Sequence, residues 1–237
     1  MTHAKVCGFR SAAGAIAAVD AGADAIGLVF VPSAGRRVTV DEAADILREV
    51  RAHLAGREQV PEIVGLFADQ PADDVNDAVE RLVLDSVQLC GSEGMAYAAR
   101  MTAPVYKVIS IDPNIPISSQ LPKVMVLQQR HQLAGHGIVI DTKVAGEYGG
   151  TGQRFDWELA AGLAEGFDMS LAGGLTPDNV GEAVAQVRPW GVDTSSGVET
   201  DGEKDPAKIR AFVEAVRQAD AALARSPLKR LLGWGRS

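Results

Sequence analysis

Short apolar runs alternate along the whole chain with stretches in which apolar residues recur every three or four positions. The runs at Ala4–Gly8, Ala25–Phe30, Glu62–Phe67, Ser86–Cys90, Val105–Ile109, Gly137–Asp141, Met169–Ala172 and Gly191–Thr194 have the length of parallel strands. Their apolar continuity predicts burial on both faces. Between them, spacings such as Val75, Ala78, Val79, Leu82 and Ile209, Phe212, Val213, Val216 put the apolar groups on one face of a helix, which should pack outside the sheet. Repeated strand–helix units imply a parallel sheet. An open doubly wound sheet has the same rhythm, but eight units in roughly 225 residues fit closure better. The expected fold is α/β: a (β/α)₈ TIM barrel of eight parallel strands, filling residues 1–225 as one domain. Pro113, Pro116 and Pro122 delay the expected fifth helix until about Lys123. The stretch Ser226 to Ser237, with Lys229, Arg230 and Arg236, is expected to be a solvated basic tail.

A chain of 237 residues, 46% of them hydrophobic, can build the full core such a barrel needs. Its formal charge of -8 and lack of a local basic patch argue against a nucleic-acid partner. Cys7 and Cys90, the two cysteines, follow neither a disulfide-scaffold nor a zinc-site spacing, and are expected as reduced thiols. Met1 to Cys7 lacks an apolar signal core, and no apolar stretch approaches the roughly 20 residues of a membrane span. These features predict a cytoplasmic enzyme that acts on a small molecule, without a membrane partner. In the absence of a long exposed apolar stripe, a monomer is expected rather than a homodimer.

In a barrel of this kind the site forms at the C-terminal ends of the strands. Cys7 closes the first strand, Asp141 the sixth, and Asp193 with Ser195 and Ser196 the eighth. A thiol and a carboxyl facing one cavity could act as base and acid. Equally, a strand-end cysteine can be a small packed hydrophobe, and a strand-end aspartate can cap the next helix. Pattern alone does not choose. Glycine-rich turns follow the last strands, at Gly149–Gly152, at Gly173 and Gly174, and at Ser195–Ser196–Gly197. Those after strands seven and eight occupy the recurrent phosphate position of the architecture, where bare amides and helix dipoles attract an anion. Arg36 and Arg37 lie in the loop after strand two, where a guanidinium could grip a carboxylate with two prongs; solvation is the other reading for at least one of them. None of His3, His53, His131 and His136 falls at a predicted C-terminal strand end, which disfavours a histidine-held metal.

Taken in order, several segments resemble phosphoribosylanthranilate isomerase from Lys5 to about Val216. They are Lys5-Val6-Cys7-Gly8; Gly27-Leu28-Val29-Phe30 with Arg36 and Val38; Val87-Gln88-Leu89; and Asp141 with Gly149-Gly150-Thr151-Gly152 and Phe155-Asp156-Trp157. The series continues with Leu171-Ala172-Gly173-Gly174-Leu175-Thr176-Pro177-Asp178-Asn179-Val180, then Val192-Asp193 and Ser195-Ser196-Gly197-Val198-Glu199. Together, in one order, they are highly specific.

The resemblance implies an Amadori rearrangement of N-(5-phosphoribosyl)anthranilate to 1-(2-carboxyphenylamino)-1-deoxyribulose 5-phosphate, in tryptophan biosynthesis. By position, Asp141 would be the general acid that opens the ring to a Schiff base. Cys7, as thiolate, would remove the C2 proton. Arg36 would lie near the anthranilate carboxylate, Asp193 would hold sugar hydroxyls, and Gly173, Gly174, Ser195 and Ser196 would bind phosphate. The implied reaction needs no cofactor and no metal. Three places depart from the family: Cys90 where histidine is common, Phe9-Arg10 where Leu or Ile and then Thr are usual, and Gln153-Arg154 where Lys-Thr is common. All are expected to line or border the pocket. Two rivals are a histidine-pathway or dual-substrate isomerase on the same barrel and a non-catalytic phosphate-binding barrel. The first normally has a carboxylate at the first-strand position, so Cys7 favours the anthranilate substrate. The presence of both proposed catalytic groups argues against the second.

Overall fold

The computed structural model describes residues 1–112, 114–142 and 157–225. The glycine-rich turn at 149–152, the departures Gln153 and Arg154, and the tail 226–237 lie outside the described residues. Strand and helix alternate as β1 (His3–Cys7), α1 (Ala12–Asp20), β2 (Ala25–Val29), α2 (Val40–Leu54), β3 (Glu62–Phe67), α3 (Ala72–Leu82), β4 (Ser86–Leu89) and α4 (Met95–Ala98). The second half runs β5 (Val105–Ile111), α5 (Ile117–Leu133), β6 (Gly137–Thr142), α6 (Trp157–Gly166), β7 (Ser170–Leu171), α7 (Val180–Val187) and β8 (Gly191–Thr194). A two-stranded ribbon, β9 (Glu199–Thr200) and β10 (Glu203–Lys204), precedes α8 (Pro206–Arg225).

The first eight strands form a closed parallel barrel in chain order, as expected. Closure pairs β1 with β8, with His3 opposite Gly191 and Lys5 opposite Asp193. The helices bury their apolar stripes outside it: Val75, Ala78 and Leu82 from α3, and Ile209, Phe212, Val213 and Val216 from α8. Alternation along a strand turns every second residue inward. Cys7 at the cavity therefore places Lys5 and His3 inward on β1, and Asp193 lines the same cavity from β8.

Two features depart from the sequence expectation. Helix α5 starts at Ile117, with Pro122 inside it, rather than near Lys123. Pro122 removes one helical hydrogen bond, but Gln120 latches the first turn. Its side-chain amide donates to the carbonyls of Asp112 and Ile115 and accepts from the Asp112 amide. The ribbon β9–β10 was not anticipated, although its turn, Asp201-Gly202, is a strong short-range hairpin signal. Both turn residues take positive φ, 52° and 79°, as a tight two-residue connection requires.

Candidate active site

A cavity at the C-terminal mouth of the barrel brings together Cys7, Arg36, Cys90, Asp141, Gly173, Gly174, Asp193, Ser195 and Ser196. These include each residue to which the sequence assigns a catalytic, substrate-binding or phosphate-binding role. Cys7 is buried, 4% exposed, at the end of β1. Opposite it in register on β2 stands Gly27. A Cβ at Gly27 would sit 2.6 Å from the Cys7 sulfur and 3.2 Å from its Cα, so the missing side chain makes the room the thiol occupies. Gly27→Ala is expected to swing the thiol aside and lower kcat by about a hundredfold, because a displacement near 1 Å costs that much. Steady-state kinetics showing kcat within about threefold of wild type would overturn that role for Gly27.

Beneath Cys7 the barrel holds a buried ion pair. Lys5 Nζ donates to Asp193 Oδ2 at 2.6 Å, and both side chains are shielded from solvent. Burial opposes the lysine charge, but the carboxylate beside it and their hydrogen bond hold its proton affinity above the ordinary lysine value. The other carboxylate oxygen, Oδ1, is buried without a hydrogen-bond partner among the described residues. A buried lone acceptor of this kind is costly unless a ligand donor completes it, and a sugar hydroxyl has the right chemistry.

Burial pushes the Cys7 thiol above its ordinary value; the positive charge of Lys5 opposes this, Asp193 adds to it, and Lys204 and Arg36 oppose it less strongly. Burial also raises Cys90, to about 12, with the charge of Cys7 adding to the shift. A raised affinity leaves the thiol protonated at neutral pH, and its reactive thiolate is gained as pH rises. The second-order rate of Cys7 alkylation by iodoacetamide should therefore climb roughly tenfold per unit between pH 7 and 9 with no plateau in that range. The adduct should map to Cys7 rather than Cys90 by mass spectrometry. A plateau near pH 7 would contradict the burial-dominated environment.

Arg36 does not present an uncommitted fork. Its Nε and Nη2 donate to the two carboxylate oxygens of Glu199 at 2.6 and 2.7 Å. Its neighbour Arg37 is exposed. Gly8, at φ 83°, lets the arginine cross the end of β1, since a Cβ there would lie 2.6 Å from Arg36 Cδ.

The two loops at the seventh and eighth strands are fastened to each other and to β1. Thr194 Oγ1 donates to the Leu175 carbonyl at 2.7 Å, and Ser195 Oγ donates to the Cys7 carbonyl at 3.0 Å. Gly173 and Gly174 take φ 94° and 65°, where a side chain would be strained. Asn179 ties that turn down, its side chain donating to the Gly174 carbonyl and accepting from the Thr176 amide. The result is a preformed glycine- and serine-rich wall, suited to an anion through its backbone amides.

The expected pocket position of Phe9-Arg10 is corrected by the structure. Phe9 is fully buried in the core, and Arg10 turns outward to Gly202 and Glu203 of the ribbon, so neither lines the cavity. Cys90 does line it, beside Gln88. Lys5, Glu199 and Lys204 carried no role in the sequence reading. A lysine inside an otherwise apolar strand was the available signal for the first.

The sequence pattern of the N-(5'-phosphoribosyl)anthranilate (PRA) isomerase family matches residues 4–215. The chain is 44% identical over 217 residues to the N-(5'-phosphoribosyl)anthranilate isomerase of Roseiflexus castenholzii, covering 91% of this chain and 98% of the relative. Among solved structures, phosphoribosyl anthranilate isomerase from Thermotoga maritima superposes with a TM-score of 0.79 at 30% identity, covering 92% of this chain and 100% of that one. A further phosphoribosyl anthranilate isomerase structure, in complex with reduced 1-(o-carboxyphenylamino)-1-deoxyribulose 5-phosphate, gives a TM-score of 0.75 at 27% identity, covering 92% and 100%.

Proposed function

The chain belongs to the phosphoribosylanthranilate isomerase family, and from that premise we propose that Cys7 and Asp141 carry the family's reaction in this protein. It is an isomerase of tryptophan biosynthesis, converting N-(5'-phosphoribosyl)anthranilate to 1-(o-carboxyphenylamino)-1-deoxyribulose 5-phosphate. The single observation that carries the assignment of roles is the meeting of Cys7 and Asp141 in one cavity, from β1 and β6.

In the first step Asp141 delivers a proton to the furanose ring oxygen as the C1–O bond breaks, giving the open-chain Schiff base. The Cys7 thiolate then removes the C2 proton, and the electron pair moves through C2–C1 to the iminium nitrogen to form the enolamine. Tautomerisation, with a proton placed on C1, yields the ketone. Burial keeps the Cys7 thiol protonated at neutral pH, and the positive charges of Lys5, Lys204 and Arg36 oppose that shift and favour the thiolate this step needs.

Around the reacting carbons the remaining groups bind. The Gly173–Gly174 turn and the Ser195–Ser196 turn receive the phosphate, Asp193 Oδ1 accepts from a sugar hydroxyl, and Arg36 meets the anthranilate carboxylate. A guanidinium carries five N–H groups and can serve more than one acceptor. The same reading places the protein in the cytoplasm as a monomer, with no cofactor and no nucleic-acid or membrane partner. No helix among the described residues is long and apolar enough to cross a membrane.

The test is the loss of substrate fluorescence when purified protein meets freshly generated N-(5'-phosphoribosyl)anthranilate. Decay above the spontaneous rate is expected, and its absence with folded protein would sink the assignment.

A further inference from the structure

We propose that Glu199 is the positioning residue that aims Arg36 at the ligand's carboxylate, and that Lys204 keeps this clamp positively charged. The inference rests on the reading that Arg36 meets that carboxylate. Three side chains form a chain of contacts at the edge of the cavity. The Glu199 carboxylate grips Arg36 through both oxygens, at 2.6 and 2.7 Å, and its Oε1 also accepts from Lys204 Nζ at 2.6 Å. Glu199 and Lys204 face each other across the ribbon, paired in register on β9 and β10. Both side chains are largely buried, at 8% and 6% exposure, whereas Arg36 keeps 24%.

Geometry and charge give the two residues different tasks. A fork-to-fork contact fixes the plane of the guanidinium as well as its distance, which one hydrogen bond cannot do. The aliphatic stem of Arg36 is held separately by the close approach at Gly8. A bound arginine pays less ordering when its ligand arrives, so affinity and selectivity both gain. Glu199 offsets the charge of Arg36, however, and weakens its pull on a second carboxylate. Lys204 places a positive charge beside the pair; burial lowers its proton affinity, and the Glu199 carboxylate opposes that loss. Its ammonium also donates to the Ser195 carbonyl at 2.8 Å and lies 5.9 Å from the centre of the Phe9 ring, which anchors it. Hydrogen bonds from Arg36 and Lys204 outweigh burial and hold the Glu199 carboxyl below its ordinary value, so it stays ionised.

A competing role has the opposite sign. If Glu199 merely occupied Arg36 until a ligand displaced it, its removal would tighten carboxylate binding.

The experiment compares two ligands by isothermal titration: reduced 1-(o-carboxyphenylamino)-1-deoxyribulose 5-phosphate and its anilino counterpart without the carboxylate. Wild type should prefer the carboxylated ligand. Glu199→Gln should cut that preference at least about tenfold while the anilino ligand binds within about threefold of wild type. If Glu199→Gln fails to fold, Lys204→Met carries the same test, since losing its charge should also reduce the preference. Arg36→Met separates the two layers of the argument. If it retains the preference, the reading of Arg36 fails and the inference with it. Should Arg36→Met abolish the preference while Glu199→Gln keeps or raises it, Arg36 stands and the positioning role of Glu199 is overturned.

Discussion

Replacing Cys7 by alanine is expected to lower kcat by about a thousandfold and to leave KM within a few-fold of wild type. A thousandfold is close to 4 kcal/mol of transition-state stabilisation, at about 1.4 kcal/mol per factor of ten. That magnitude suits the loss of one general base, because the remaining groups still bind and orient the substrate. KM should hold because none of the groups assigned to phosphate, carboxylate or sugar hydroxyls is removed. The fold should hold as well. Cys7 packs with Val29, Val64 and Leu66, and removing one sulfur from that apolar cluster costs on the order of 1 kcal/mol, small against a domain's stability. Serine at this position should be no better than alanine, since its hydroxyl is far too reluctant to ionise. A Cys7→Ala protein that melts normally and keeps kcat within tenfold of wild type would remove Cys7 from the mechanism. The iodoacetamide profile bears on the same point independently, since it reports the thiol's proton affinity without any substrate.

Local pattern carried the scaffold further than it carried the site. Strands β3 and β8 have the bounds that their apolar runs predict, because a strand buried on both faces writes itself as a continuous run. The candidate residues were legible for a related reason: in a barrel, a polar group at a C-terminal strand end has few places to point. Their partners were not legible. Lys5 and Asp193 are 188 positions apart, and only closure of the barrel through the β1–β8 register sets them side by side. Arg36 and Glu199 are separated by 163 positions and meet through a ribbon whose two strands are only two residues each. No periodicity can announce strands that short; their Asp201-Gly202 turn is the only local clue. The misplaced start of α5 has the same origin. Proline rules weigh the lost hydrogen bond, whereas the offsetting latch from Gln120 depends on where Asp112 and Ile115 sit. Phe9-Arg10 misled because proximity to Cys7 in sequence suggested proximity to the cavity. Gly8 in fact turns the chain, sending Phe9 into the core and Arg10 out to the ribbon.

Asp141→Asn should reduce kcat/KM to a similar degree, by about a thousandfold, but through a different step. The amide has the carboxyl's shape and can still hydrogen-bond, yet it cannot deliver a proton to the ring oxygen. Ring opening then has only water to assist it and becomes the slow step, while Cys7 remains ready to remove the C2 proton from whatever open chain forms. Deuterium at C2 reveals the change. Because proton removal would follow the slow step, the isotope effect on kcat/KM should fall to unity in Asp141→Asn. The substitution is also mild for the fold, because asparagine matches the size and shape of Asp141, which is half-buried near the end of β6. A normal melting transition with the kinetic loss would therefore locate the defect in chemistry. A rate within tenfold of wild type would remove Asp141 from proton transfer altogether. A thousandfold loss that keeps a several-fold isotope effect would instead move Asp141 to the C2 step, and the assignment of acid and base to the two ends of the cavity would have to be redrawn.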